Sequence, residues 1–410
     1  MNIELITIGT ELLLGFTVDT NSAFAGRTLA DRGVRVVRRT SVPDEPVVIE
    51  AAVRESLART GAVITTGGLG PTRDDITKKV VAGIFDAPLE FQEPLWQALV
   101  VRYRRLGRVP VESNRSQAEV PRGATVLVNR RGSAPGLWLE GAAGLVVMLP
   151  GVPREMHHLL TEEVVPRLSA RAGGLVVRSR VVRTAAIGES VLAERLGDIE
   201  PAVAPLTLAY LPGMVGVDLR LTAWDMSPEE ADRRLAAAAD LLKARAGAHA
   251  FGEGEADLAA VLLGELRSAN VKLAVAESCT GGLLGARLTA IPGSSAVFQG
   301  GVIAYDDAVK TRDLGVPREL IARHGAVSEE VARAMVRGVR ERFGTEAGVS
   351  ITGIAGPDGG TDEKPVGTVW FAFSERGHEE AMREAFFGER EEIRERSVQW
   401  AMYQLWRRLL

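Results

Sequence analysis

The sequence predicts an α/β protein in which two doubly wound αβ domains are joined by a small α+β module. Three observations lead there. Strand-like and helix-like patterns alternate through the first 170 residues, as in a mostly parallel sheet covered by helices. The texture changes after Arg171-Ala172-Gly173-Gly174. The alternation then resumes beyond Gly252-Glu253-Gly254-Glu255, a stretch with the composition of a linker. A chain of 410 residues exceeds one ordinary core, so the domains are placed at 1–170, 171–252 and 253–410.

In the first domain, Ile3–Ile8 reads as an apolar strand ending at Gly9, Thr20–Arg32 as a helix, and Val34–Val37 as a strand. Pro46–Arg59 is helical and Ala62–Thr66 is a short apolar strand. In the middle segment, Leu175–Thr184 alternates like a half-exposed strand and Glu189–Leu196 is helical. Leu206–Leu211 and Val215–Thr222 read as strands, and Pro228–Arg245 as an Ala-rich helix. This module is too small for another doubly wound sheet. In the last domain, Leu258–Ser268 and Gly282–Thr289 are helical. Lys272–Ala276, Val302–Tyr305, Gly348–Ile351 and Gly367–Phe373 are strands, and Ile393–Leu409 is a closing amphipathic helix.

Composition excludes several function classes. The chain is 46% hydrophobic and 25% charged, as in soluble globular proteins. It holds no run of eighteen apolar residues, and Met1–Gly9 lacks the basic start and cleavage site of a signal peptide. The single cysteine, Cys279, rules out an intramolecular disulfide and a multi-cysteine zinc site, which fits a cytoplasmic location. A net charge of −4, with no interleaving of aromatic and basic residues, argues against direct nucleic-acid binding.

Thr65-Thr66-Gly67-Gly68-Leu69-Gly70-Pro71-Thr72-Arg73-Asp74-Asp75 follows a strand and opens a helix. Glycines let the backbone approach a ligand, and a helix N-terminus favours a phosphate. Two carboxylates would repel that phosphate unless a divalent cation lay between them. A tight turn with an Asp N-cap explains the same residues. Gly9–Gly15 with Asp19, Thr20 and Asn21 ends the first strand, and parallel sheets bind ligands beyond such carboxyl ends. Asn129–Gly136 and Leu149–Met156 add two further strand-end or glycine-bearing pieces.

The second junction is Ala276-Glu277-Ser278-Cys279-Thr280-Gly281-Gly282, again strand to helix. A nucleophile at such a turn is exposed, with backbone N–H groups placed for an oxyanion, although a Ser or Thr helix cap would look alike. Cys279 is intrinsically the better nucleophile but has no histidine nearby in sequence, and Ser278 needs a base. His324 and His378 lie in no recognisable motif. That leaves Tyr305 or Lys310 as base, and a tyrosine would need a neighbouring cation, Arg390 or Arg394. Tyr305 also fits a half-buried strand aromatic. The loop Thr352–Gly360, followed by Lys364-Pro365-Val366-Gly367, could wrap a nucleotide or simply turn the chain.

The Gly9–Gly15, Gly67–Asp75 and Pro150–Met156 motifs resemble the molybdopterin-binding-like N-terminal half of the CinA family, across residues 1–170. The resemblance implies a metal-dependent ADP-ribose pyrophosphatase. Its substrate contacts would fall on Thr10, Glu11, Asp19, Asn21, Gly67, Gly68, Gly70, Thr72, Gly151 and Glu155. Asp74 and Asp75 would hold a divalent metal, Mg or Co, with K as a further cation. Arg130 departs from the family's usual proline.

Glu277–Gly282, Gly353–Gly360 and Lys364–Val369 are similar to the family's C-terminal domain, a nicotinamide-nucleotide amidohydrolase. This second resemblance implies hydrolysis of nicotinamide mononucleotide to nicotinate mononucleotide and ammonia, without a cofactor. Ser278, Tyr305 and Arg390 would be catalytic, with Arg394 and Arg396 close rivals of Arg390. Thr280, Gly281, Gly282, Lys310, Gly353, Gly356, Gly359, Gly360 and Lys364 would bind substrate. Asp307 stands where the family often has asparagine. The family's middle segment is KH-like and its members are homodimers. Here Leu211-Pro212-Gly213-Met214 lacks the basic clamp of an RNA-gripping loop. Two rival readings remain: a competence or DNA-damage factor acting through protein partners, and a molybdopterin-binding module with an accessory domain.

Overall fold

The computed structural model describes residues 1–214, 216–375 and 377–410. Val215, the expected start of a strand, lies outside them. The chain divides into two compact units, Met1–Arg178 with Ala223–Arg233, and Ser179–Thr222 with Arg234–Leu410.

The first unit is built on a six-stranded sheet in the order Arg35–Val42, Asn2–Ile8, Ala62–Thr66, Gly144–Leu149, Gly136–Gly141, Thr125–Leu127. The first four strands run parallel and the last two add antiparallel. Period-two alternation buries both faces. Ile3, Leu5 and Ile64 pack with Ala25 and Leu29 of helix Thr20–Ala30 and with Met156 and Leu159 of helix Pro153–Leu159. Ile6, Ile8 and Val63 pack with Ile49 and Val53 of helix Pro46–Thr60 and Val81 of helix Thr77–Ile84. The sheet is therefore doubly wound. Chain order reverses at Asn2–Ile8, which opens a crevice at the ends of that strand and Ala62–Thr66.

The middle module is a four-stranded sheet, ordered Thr207–Pro212, Val217–Met226, Val176–Thr184, Ala250–Glu253, with helix Pro228–Ala246. The linker expected at Gly252–Glu255 is corrected here. Ala250–Glu253 is a strand paired antiparallel to Val182–Thr184, and the turn follows at Gly254, whose φ is +63°.

The second unit's larger sheet runs Phe298–Ile303, Leu273–Glu277, Ala347–Gly353, Thr368–Glu375, His378–Ala385. Its first three strands are parallel and its last two antiparallel. Leu273, Val275 and Ile351 pack under helices Leu258–Ser268 and Arg390–Leu409. Ala274 and Ala276 face Val331, Met335 and Val339 of helix Glu329–Phe343. The strand expected at Val302–Tyr305 lies earlier, at Phe298–Ile303, which leaves Tyr305 beyond its carboxyl end.

Candidate active sites

In the first unit the glycines are used where chains approach. Gly67 has φ +104°, and a Cβ there would collide with the Ile8 carbonyl. Gly151 lies across from it, an added Cβ falling 3.5 Å from the Gly67 Cα. Asn21 Nδ2 donates to the Gly151 carbonyl at 2.7 Å, while its buried Oδ1 has no hydrogen-bond partner. Three strand ends thus meet beside an unpaired buried acceptor, which points to a polar ligand at this edge.

The other predicted residues have local partners. Asp19 caps helix Thr20–Ala30, its carboxylate accepting from Ser22 N at 2.9 Å. Thr10 donates through N and Oγ1 to Asp44 Oδ2 at 2.9 and 3.1 Å. Asp44 is not singled out by the sequence motifs. Its signal is a carboxylate just beyond the second parallel strand. Glu11 lies on the exposed turn after Gly9, its carboxylate folded back over that glycine. Thr77 Oγ1 donates to the Gly67 carbonyl at 3.0 Å, and Gly68 lies against that hydroxyl. Glu155 accepts from Asn129 Nδ2, and burial pushes its carboxyl above the ordinary range.

Asp75 Oδ2 accepts from Thr72 N at 2.8 Å and from the Thr72 hydroxyl, and a side chain at Gly70 would run into it. Thr72 also holds the Asp74 carboxyl below the usual carboxylate range. Both aspartates are adjacent to the glycine turn. Among the described residues no group of three His, Cys, Asp or Glu side chains converges to hold a metal. Two adjacent carboxylates are a donor set of the kind magnesium takes, with water and substrate phosphates as its other ligands, and do not make a closed protein cage. When bound, such an ion would neutralise phosphate charge and polarise the P–O bond.

In the second unit Ser278, Cys279, Tyr305, Lys310, Gly353 and Arg390 line one cavity of about 190 Å³. Ser278 N donates to the Ile351 carbonyl at 2.9 Å, which fixes the turn. Arg390, first residue of its helix, donates through Nη2 to the Tyr305 hydroxyl at 2.8 Å and through Nη1 to the Gly356 carbonyl. Its rivals are engaged elsewhere. Arg394 Nη2 donates to the Thr280 carbonyl at 3.0 Å, and Arg396 Nη1 to the Phe387 carbonyl at 2.7 Å. Neither His324 nor His378 lines the cavity. His324 pairs with Glu330 at 3.1 Å.

Cys279 is 5% exposed within the apolar core, and burial pushes its thiol up to about 12. The N–H groups of Cys279 and Thr280 lie near that sulfur and would favour its thiolate, but burial outweighs them. Neither N–H donates to an oxygen of a described residue. Gly281 N is taken by the Ser278 carbonyl, and Gly282 N by Glu277.

Glu277 is the residue that sequence reasoning misses. It is 2% exposed and accepts from Gly282 N, Leu284 N and Gly285 N at 3.1, 3.0 and 2.8 Å. The carboxylate saturates the N-terminus of helix Leu283–Thr289 from inside the protein. That leaves the N–H pair of Cys279 and Thr280 as the donors near Ser278.

Lys310 is 1% exposed, and its ammonium donates to Asp307 Oδ1 at 3.0 Å and the Tyr305 carbonyl at 3.3 Å. The cavity wall at Ala326 and Val327 is held from behind. Lys364 Nζ donates to the His324 and Val327 carbonyls at 2.9 and 2.8 Å, and Thr352 Oγ1 to the Ala326 carbonyl at 2.8 Å. Lys364, Gly359 and Gly360 are not among the lining residues. Thr280 Oγ1 is buried without a partner, and Gly281 and Gly282 turn the chain at φ +60° and +93°.

Comparison with known proteins matches three family models: "Probable molybdopterin binding domain" over residues 4–170, "Damage-inducible protein CinA KH domain" over 179–252, and "CinA C-terminal domain" over 255–409. A CinA-like protein of Gemmatimonas aurantiaca is 56% identical over 99% of this chain and 96% of its own length. Another, of Parasynechococcus marenigrum, is 44% identical over 100% and 98%. A crystal structure of a competence-damaged protein (CinA) superfamily protein from Klebsiella pneumoniae is 38% identical over 37% of this chain and 95% of its own, with a TM-score of 0.36. No described helix is long and apolar enough to cross a membrane. With relatives this similar over essentially its full length, the chain belongs to the CinA family.

Proposed function

We propose that the chain hydrolyses two nucleotides: nicotinamide mononucleotide at the cavity of the second unit, and ADP-ribose at the strand-end crevice of the first. The observation that carries the first activity is the Arg390–Tyr305 hydrogen bond on the cavity that Ser278 also lines. A histidine-free site needs another proton acceptor, and a phenol held by a guanidinium is one.

Ser278 Oγ attacks the carboxamide carbon while Tyr305 takes its proton. The N–H groups of Cys279 and Thr280 are placed to receive the oxyanion. On collapse the C–N bond breaks as the leaving nitrogen takes the proton back from Tyr305, so it departs as ammonia. Water then cleaves the acyl-serine ester, giving nicotinate mononucleotide and restoring Ser278. Lys310 and Arg390 supply positive charge for the substrate's phosphate.

At the first unit, Gly67, Gly68 and Gly151 leave room for a pyrophosphate against the backbone. Asp74 and Asp75 would carry the magnesium, cobalt being the alternative ion. Potassium is a further cation to be tested there. Water adds across the P–O–P linkage, giving AMP and ribose 5-phosphate.

The test is direct. Purified protein is incubated with nicotinamide mononucleotide, and ammonia and nicotinate mononucleotide are quantified. ADP-ribose with and without magnesium is assayed for AMP in parallel. Ammonia release in wild type and its absence in Ser278→Ala supports the amidohydrolase reading. No ammonia from folded wild-type protein refutes it.

A further inference from the structure

Asp306 and Asp307 stand side by side at the start of helix Asp307–Leu314 and have different partners. Asp306 is the N-cap, its carboxylate accepting from Ala308 N at 2.7 Å. The helix start is served without Asp307. Asp307 lines the Ser278 cavity instead, and it is the one carboxylate among the lining residues. Glu277, next to Ser278 in the chain, is turned away, its two oxygens taken by the N–H groups of Gly282, Leu284 and Gly285.

Asp307 uses one of its oxygens. Oδ1 accepts from Lys310 Nζ at 3.0 Å, pairing a half-exposed carboxylate with a buried ammonium. Oδ2 has no hydrogen-bond partner among the described residues. Lys310 also donates to the Tyr305 carbonyl, which leaves it one N–H for substrate, but its charge is already matched. The cavity's other cation is Arg390. Its two hydrogen bonds go to neutral oxygens, the Tyr305 hydroxyl and the Gly356 carbonyl, so its charge has no ion-pair partner among the described residues. Two cations and one carboxylate therefore line the cavity, and one positive charge stays open for a phosphate.

Amide hydrolysis reverses the hydrogen-bonding sense at one end of the ligand. A carboxamide is neutral and presents two N–H donors. The carboxylate that replaces it is negative and has acceptors only. A free carboxylate oxygen on the wall accepts from the first and repels the second. The ion pair with Lys310 acts in the same direction, because an ammonium matched by Asp307 is not open to the new carboxylate.

We propose that Asp307 is the specificity-determining residue of this cavity: its free oxygen accepts from the carboxamide nitrogen of the substrate, and its charge turns out the carboxylate product. The ligand class is a primary carboxamide, and an acid of the same shape is rejected because acceptor meets acceptor. Asp307 takes no part in bond breaking. The assignment rests on the amidohydrolase reading.

The experiment is a calorimetric titration of full-length Ser278→Ala protein, which binds without turnover, with nicotinamide mononucleotide and separately with nicotinate mononucleotide. It is repeated with Asp307→Asn added, and melting curves check that both proteins are folded. Ser278→Ala alone is expected to bind the carboxamide about tenfold or more tighter than the acid, a difference of ~1.4 kcal/mol or more. An asparagine side chain offers a donor as well as an acceptor and frees the Lys310 charge. Asp307→Asn is therefore expected to bring the ratio to about one, mainly by tightening the acid. A loosened fold would weaken both ligands alike and leave the ratio where it was. A ratio that Asp307→Asn does not change overturns the assignment, as does a parent protein that binds the two ligands equally. Ammonia release by wild type separates the two readings. Its absence refutes the amidohydrolase and the role of Asp307 together, whereas release with an unchanged ratio removes the role of Asp307 alone.

Discussion

Arg390 donates a hydrogen bond to the Tyr305 hydroxyl at 2.8 Å, joining the start of the last helix to the residue just beyond a strand edge. Tyr305 is 60% exposed, so packing alone does not hold its phenol. The guanidinium fixes its direction, and the Gly356 carbonyl fixes the guanidinium. Tyr305→Phe removes the hydroxyl and keeps the ring. It is expected to lower kcat by about 10²-fold or more, with nicotinamide mononucleotide affinity close to wild type. Arg390→Lys keeps charge but loses the fork that reaches both oxygens, so an intermediate loss is expected. Steady-state deamidation with a binding titration on each variant separates these effects. A normal kcat in Tyr305→Phe would transfer the base role to Lys310.

Ser278 and Cys279 both line the cavity, but only the cysteine packs into the apolar core. The cysteine's usual advantage is its thiolate, and a thiol pushed up to about 12 has almost none at neutral pH. Ser278→Ala is therefore expected to lower ammonia release by about 10³-fold or more, and Cys279→Ala to leave it within several-fold. Thiol alkylation of folded wild type should be slow, because Cys279 is buried. A dead Cys279→Ala enzyme with an intact melting curve would reverse the assignment.

Glu277 makes a separate claim about stability. Removing its carboxylate leaves three N–H groups at the helix start without an acceptor. Glu277→Ala should cost about 1–3 kcal/mol, and Glu277→Gln, which keeps one oxygen acceptor, should cost less. Chemical denaturation measures both. If the two variants are equally stable, the helix finds other partners and Glu277 is not its cap.

The strand ends are legible in the sequence because glycine clusters after apolar runs have few other uses, and Gly67 and Gly151 do meet there. Glu277 lies in the same motif and gives no such signal. It caps its helix from six residues before the helix begins, outside the usual N-cap spacing. Arg390, Arg394 and Arg396 share a helix, and only its direction separates the one that reaches Tyr305. Lys364 follows a glycine loop as a phosphate ligand would, yet the chain folds its ammonium onto two carbonyls. Gly252–Glu255 has the look of a linker because its strand partner lies some 70 residues earlier, a pairing no local pattern records.

Asp75 belongs to the first unit and the Ser278 cavity to the second. Asp75→Asn keeps an oxygen for Thr72 and removes the charge. It is expected to abolish metal-stimulated AMP formation from ADP-ribose and leave ammonia release from nicotinamide mononucleotide near wild type. Assaying both activities on one preparation decides it. Loss of both in a folded variant would show that the sites are coupled.

Lys78 predicts a pH dependence of stability. It lies on helix Thr77–Ile84, is 8% exposed, and its ammonium donates to the Ser116 carbonyl. Burial is the main cause that brings it down from its ordinary value of 10.5 to about 8, with Lys79 acting in the same direction and Glu119 and Asp75 opposing. Between those two values the unfolded chain holds a proton that the folded chain has lost. Stability therefore rises with pH through this window, and below pH 8 the buried charge is a full penalty. A difference of about 2.5 pH units corresponds to ~3 kcal/mol. Lys78→Met keeps the length of the side chain and removes the charge, at the loss of one hydrogen bond. The variant is expected to be the more stable protein at about pH 7, with the gap closing by about pH 10. Urea denaturation of both proteins at about pH 7, 8.5 and 10 measures the gap directly. A gap independent of pH would mean that Lys78 stays protonated throughout, with the Ser116 carbonyl offsetting its burial.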